Sequence, residues 1–190
     1  MKKIIVFLIA AMSLMCVQAQ DYDDIYNTQR DVVTKQEAKQ EKKRLKHLND
    51  SVAFNRAVRA LENSHWVLMA DRVTLGRMAY TLHNVTGNSN FVLQQADRTI
   101  VQVAFNVVDP GPNGIGGVTL EGRTSRAEMK TDKKGNVYCT IHVNGTQLMG
   151  DVYVTLFAGG NRAEARFDPS FGYGRLTIYG ELLPYDHSRH

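Results

Sequence analysis

Cysteine is almost missing from this 190-residue chain: Cys16 and Cys139 are too few for a disulfide framework. Proline is scarce, at four residues, and the 15 glycines follow no period, which excludes collagen-like and low-complexity architectures. A charge excess is lacking too, with a formal net of +4, while 43% hydrophobic residues exclude global disorder. The usual catalytic signatures are also absent from the sequence. There is no Gly-x-Ser-x-Gly elbow, no Gly-Lys-Ser/Thr phosphate loop, and no His and Cys at metal-ligand spacing. Catalytic and metal-ligating residues are therefore assigned to none, and no cofactor is expected. A triad assembled from distant residues stays open.

The start of the chain has the form of an export leader. Met1-Lys2-Lys3 is basic, Ile4 to Met15 is apolar apart from Ser13, and Val17-Gln18-Ala19 places small residues at the cleavage site. Cleavage after Ala19 is expected, which sends the mature chain to the periplasm or outside the cell. The apolar run is too short for a membrane span of about 20 residues, so no stable transmembrane anchor should remain. Lipidation at Cys16 is disfavoured because Met15 and Ser13 stand where a lipobox needs a small residue and a leucine. Removal of residues 1–19 leaves 21 basic against 19 acidic residues and Cys139 as the single thiol, so the mature domain must be held by core burial.

Residues 20–63 read as a basic helical segment. Between Gln29 and Asn63 there is neither Gly nor Pro, and residues 29–47 hold seven basic and three acidic side chains. Leu45, Leu48 and Val52, then Phe54, Val58 and Leu61, recur at spacings of three and four, an apolar stripe suited to packing on a sheet. Asp50-Ser51 marks a change of phase where two helices could part.

From His65 the period becomes two. Val101, Val103, Phe105 and Val107, then Val137, Cys139, Ile141 and Val143, then Val152, Val154, Leu156 and Ala158, alternate with more polar neighbours. Further strands are expected near 65–73, 77–83, 91–96, 117–127, 162–168 and 174–183. Thr86-Gly87-Asn88, Asp132 to Asn136, Asn144-Gly145 and Gly159-Gly160-Asn161 supply turn chemistry between them. The expected fold is mainly β: an antiparallel meander of about eight or nine strands over 64–185. It would form a sandwich or an up-and-down, lipocalin-like barrel, preceded by a long N-terminal helix and followed by a polar tail at 186–190.

The segment Asp109 to Gly117 is the most unusual stretch. Two prolines remove amides that a phosphate cradle would use, and Val118-Thr119-Leu120-Glu121 continues as strand rather than helix. A long loop contacting a ligand or partner is its functional reading, with Asp109, Gly111, Asn113, Gly114, Gly116 and Gly117 as the candidate binding residues. Cys139 shares the phase of Val137, Ile141 and Val143 and should be buried and unreactive. The histidines 47, 65, 83, 142, 187 and 190 form no metal spacing. Arg162, Glu164, Arg166 and Asp168 read as a solvated ion-pair row. Residues 65–190 carry 12 basic and 11 acidic side chains, so no basic footprint for nucleic acid extends over the sheet.

His65-Trp-Val-Leu-Met-Ala-Asp-Arg-Val73, Asn90-Phe-Val-Leu93, Gly111-Pro-Asn-Gly-Ile-Gly-Gly-Val-Thr-Leu-Glu-Gly122, Asp132-Lys-Lys-Gly-Asn136, Asn161-Arg-Ala163 and Gly180-Glu-Leu-Leu-Pro184 resemble an exported bacterial family, domain of unknown function 4251. The resemblance spans 55–185. It implies export, association with the envelope of Bacteroidota-type bacteria and a β-rich core, and it brings no catalytic residues. The expected function is non-catalytic binding of an envelope protein or ligand. The alternatives are a carrier of a small apolar ligand in a barrel cavity and a hydrolase with a non-sequential site.

Overall fold

The structure, a computed structural model, describes residues 35–75, 80–83, 85, 87–104, 117–146, 148–169 and 175–185. The expected leader, the tail from 186, and Phe105 and Val107 of the alternating pattern lie outside these residues. The chain divides into two compact units, Met1–Leu48 and Asn49–His190. Helix α1 covers residues 35–62, with no interruption at Asp50-Ser51. Within the first unit Leu45 and Leu48 are exposed. In the second, Ala57, Ala60 and Leu61 join the main buried cluster, with Phe54 and Val58 packed against it. Only the later half of the expected stripe is therefore buried, and it is completed by two alanines that the leucine and valine spacing does not mark. Ser64, in the left-handed region at φ 55, ends the helix, and its amide donates to the Leu61 carbonyl.

The strands are β1 (His65–Leu75), β2 (Tyr80–His83), β3 (Phe91–Gln95), β4 (Arg98–Ala104), β5 (Gly117–Thr131), β6 (Val137–Asn144), β7 (Gly150–Leu156), β8 (Arg162–Pro169) and β9 (Leu176–Pro184). All pairings are antiparallel, in the order β2-β1-β3-β4-β5-β6-β7-β8-β9, and β9 returns to pair with β1. Eight strands thus close into an up-and-down barrel rather than a sandwich. β2 continues the edge of β1 beyond the stretch that β3 occupies. The alternation of the sequence becomes inside and outside: Val137, Cys139, Ile141 and Val143 are buried, as are Val152, Val154 and Leu156. Ala158, expected to extend that strand, lies exposed in the β7–β8 turn, where Gly159 supplies a φ of 88.

Two long strands take up the curvature. β1 has a register shift between Ala70 and Arg72 against β9, and β5 has one between Thr124 and Arg126 against β6. Such bulges sharpen twist and bend a strand. β5 pairs with β4 from Gly117 to Arg123 and with β6 from Arg123 to Thr131, an offset that gives the barrel its shear. At the β1–β9 seam Gly180 stands opposite Ala70, where a Cβ would overlap the Met69 carbonyl oxygen.

One polar chain crosses the interior. Trp66 Nε1 donates to Gln94 Oε1 at 2.7 Å, and the Thr99 and Thr124 hydroxyls lie 2.7 Å apart, with Gln94 Nε2 3.5 Å from Thr124. Trp66, Gln94 and Thr99 are all buried, so these bonds replace water that burial removed. At the β5–β6 hairpin the Asp132 carboxylate accepts from the Lys134 and Asn136 amides, the Asn136 side chain and the Tyr138 hydroxyl.

Gly180→Ala should lower the unfolding free energy measured in urea by an amount at the upper end of the ~1–3 kcal/mol typical of overpacking, because the clash is with backbone. Gly160→Ala, with nothing within 4 Å of the new methyl, is the matched control and should leave the unfolding free energy within about 0.5 kcal/mol. The Asn136 side-chain hydrogen bond, with the backbone and Tyr138 bonds behind it, holds the Asp132 carboxyl below its ordinary 3.8. The folded state therefore binds fewer protons there than the unfolded chain. The stabilisation from this group is present above that value and is lost as pH falls below it. Denaturation midpoints compared between pH 6 and acid conditions should consequently fall less for Asp132→Asn than for the unsubstituted chain.

Candidate functional site

A barrel of eight strands has room for side chains or one small ligand. In this one, the described inward side chains form one buried cluster. Trp66, Leu68, Ile141, Val152, Leu156 and Leu182 each have 0% exposure, whereas the lining of a cavity admitting water would retain accessible area. Among the described residues, the open surface lies outside the barrel.

The glycine-rich connection falls between β4 and β5. Asp109, Gly111, Asn113, Gly114 and Gly116 lie outside the described residues, while Gly117 opens β5 and pairs with Ala104.

At the opposite end of the β4–β5 pairing is a cleft of about 640 Å³, lined by residues of β4, β5 and the β6–β7 connection. This volume is in the usual range for a small-molecule site. Antiparallel register sets Arg98 directly opposite Arg123, a like-charge pairing that each residue relieves differently. Arg98 is clamped by Glu121 through two bonds of 2.5 and 2.9 Å. That side-chain bond raises the Arg98 pKa and lowers that of Glu121. Arg123 reaches Asp97 only at 3.9 Å and is 86% exposed, so its guanidinium has donors to spare. Asn144, Gly145 and Thr146 form the opposite wall.

The Asn144-Gly145 pair does not make the two-residue hairpin turn expected from its sequence. β6 ends at Asn144, β7 begins at Gly150, and the connection between them carries Leu148, fully buried, back against Gly122. Gly145 is needed for space: a Cβ would stand 2.8 Å from both the Glu121 carbonyl oxygen and the Gly122 Cα. The cleft residues carry no motif, because what assembles them is strand register and a folded-back connection.

The outer face of β6, β7 and β8 holds a second set of polar contacts. His142 Nδ1 donates to Asp151 at 2.5 Å, the Tyr153 hydroxyl donates to the other oxygen at 3.1 Å, and Arg166 lies 4.6 Å over the Tyr153 ring. The bond to Asp151 pushes the Tyr153 hydroxyl up. Asp168 receives Arg175 at 2.8 Å and Arg166 at 3.3 Å, and Arg162 pairs with Asp71 of the β1 bulge. The expected ion-pair row on β8 is thus tied largely to neighbouring strands. His142 has an aspartate to orient it, as in a triad, but the adjacent Ser125 hydroxyl donates to the His142 backbone carbonyl.

These outward charges also distinguish the barrel from a membrane-spanning one, whose exterior is an apolar band. Here Arg98, Glu121, Arg126, Glu128, Arg162 and Asp168 face outward and the apolar set faces in. Among the described residues no helix is long and apolar enough to cross a membrane, and no group of three His, Cys, Asp or Glu side chains is placed to hold a metal.

Comparisons with known proteins agree with this architecture. A family model described as domain of unknown function (DUF4251) matches residues 49–182. A crystal structure of a DUF4251 family protein from Bacteroides eggerthii is 42% identical with a TM-score of 0.60, covering 73% of this chain and 91% of that one. No curated protein matches the sequence.

Cys139 is 2% exposed, and burial pushes its thiol up to about 11. A thiolate-selective reagent at pH 8 should leave it unmodified in the native protein and label it fully in denaturant. Native labelling faster than global unfolding would contradict the burial.

Proposed function

The chain belongs to the DUF4251 family, and from that premise we propose that it is an exported, non-catalytic binding protein that engages its partner with the outside of the barrel. The observation that carries this reading is the filled centre. With Trp66, Leu68 and Ile141 wholly buried, an apolar ligand would have to displace core side chains to enter. That disfavours a carrier. Export and an envelope location follow from the leader form of residues 1–19. The contact surface is assigned to the connection Asp109–Gly117, including Asn113, and to the cleft at the other end of the β4–β5 pairing, where Arg123 keeps free donors. Loops on a rigid scaffold are the usual place for such contacts, since they vary without disturbing the core. The partner is an envelope protein or ligand. A hydrolase remains the competing class, and its sign would be turnover.

Native mass spectrometry of the protein purified from its own cell envelope tests the assignment. A co-purifying mass is expected with the unsubstituted chain. It should be lost when Gly111 to Gly116 are deleted and weakened at least several-fold by Arg123→Ala, with circular dichroism unchanged. Retention of that mass by the deletion variant would refute the site. Reproducible turnover of ester, glycoside or peptide substrates would refute the non-catalytic reading itself.

A further inference from the structure

The Asn144-Gly145 dipeptide does not serve as a hairpin turn, yet it carries a chemistry of its own. Asn144 is the last residue of β6 and is exposed, and Gly145 follows it in a bend. Among the described asparagines only Asn144 precedes a glycine, and a glycine has no side chain to shield its amide nitrogen. Among the described residues the Asn144 side chain makes no hydrogen bond, and the Gly145 amide has no backbone acceptor. Other asparagines of the barrel are tied down. Asn90 is buried and its side-chain oxygen accepts from the Ala104 amide at 2.8 Å. The Asn136 side chain donates to Asp132 and accepts from the Ala158 amide, each at 2.9 Å.

Strand register gives a change at this position its consequence. Asn144 is the direct partner of Arg123 across the β5–β6 ladder, and both line the cleft. As the cleft stands, the guanidiniums of Arg98 and Arg123 are balanced by the carboxylates of Asp97 and Glu121. One more carboxylate makes the lining acidic. Placed at residue 144, it would face Arg123 as an opposite charge directly across the strands, an attractive arrangement.

We propose that Asn144 is a site of spontaneous deamidation that turns the balanced lining of the cleft acidic. The Gly145 amide nitrogen attacks Asn144 Cγ and forms a C–N bond. The bond from Cγ to the side-chain nitrogen breaks, and that nitrogen leaves as ammonia with the proton of the Gly145 amide. Water then opens the five-membered imide at either carbonyl, giving aspartate or isoaspartate, each with one new carboxylate. Nothing is oxidised or reduced, and water is the sole co-reactant. The modification stands on the geometry of residues 144 and 145; its effect on recognition rests on the binding role assigned above to the cleft.

Incubation of the folded full chain in mildly alkaline buffer, with peptide mapping by mass spectrometry at successive times, tests the modification. The mass gain of an amide-to-acid exchange should appear at Asn144 at least several-fold faster than at Asn90 or Asn136. Asn113-Gly114 has the same dipeptide in the glycine-rich connection, and its peptide is read separately. Conversion at Asn113 with Asn144 intact would mean that the fold holds the Gly145 nitrogen away from Cγ, and it would overturn the site. Conversion of Asn144 no faster than Asn136 would overturn it too. N144Q, whose longer side chain closes a ring far more slowly, should keep its mass at that position. Nitrogen-15 NMR of the Arg123 side chain tests the effect on the cleft. In N144D its Nε resonance should shift and titrate with the new carboxylate, whereas in N144Q it should stay in place; an unmoved Arg123 in N144D would refute that effect. Mapping of the unsubstituted chain decides the modification even if a variant does not fold. None of these measurements needs a bound partner, so their failure and a failure of the binding assignment are told apart.

Discussion

The closure of β9 onto β1 is the constraint from which most of this molecule follows. An open meander of this length would leave two strand edges with unpaired amides and carbonyls, and a half-covered apolar face. Closure removes both problems at once, but it demands that two backbones approach closely where β1 bulges at Asp71. Gly180 meets that demand by having no side chain to place against Met69. The bulge then turns Asp71 outward, where Arg162 of β8 pairs with it, so the seam is spanned from outside by an ion pair that crosses β9. Such an exposed pair contributes little stability by itself. The geometry of the seam rests on the glycine.

Closure also decides where recognition can occur. A small barrel has little interior to spare, and here the inward residues are Trp66, Leu68 and branched aliphatics that occupy it. The buried polar chain of Trp66 and Gln94 with Thr99 and Thr124 is hydrogen-bonded within itself. The open surface among the described residues therefore lies on the wall and rims. The wall cleft has a clear geometric origin: β5 is shared end to end between β4 and β6, so the start of one neighbour and the finish of the other meet near Arg123. The β6–β7 connection folds back through Leu148 and encloses that junction.

Much of the architecture was legible because burial writes a period into the sequence. The alternations ending at Val143 and Leu156, the inward phase of Cys139 and the helix before His65 all follow from that single effect. Pairwise geometry was not legible. Asn144-Gly145 carries the residues of a tight turn, yet Gly145 is required by the approach of Glu121 and Gly122, a fact about register that no local pattern holds. Ala57 and Ala60 escaped the helical stripe because it was drawn through large apolar residues, yet both join the buried cluster. The apolar spacing of Leu45 and Leu48, in contrast, promised a buried face that does not form. The glycine-rich connection stood out by composition, while the arginines of the wall cleft had no such mark.

What separates a binding surface from an inert charged one is whether its charges are already spent on each other. Arg98 is held by both oxygens of Glu121, and a ligand competing for it would leave that carboxylate without its partner. Arg175 is likewise engaged by Asp168. Arg123 loses almost nothing by turning to a ligand, since Asp97 touches it only at 3.9 Å. The desolvation cost is also small, because its guanidinium is exposed and keeps much of its water until contact. Affinity from such sites is modest for each group and rises with the number of donors that a single oxyanion can satisfy together. The distribution of unspent donors over this barrel, rather than its total charge, sets which of its surfaces can select a ligand.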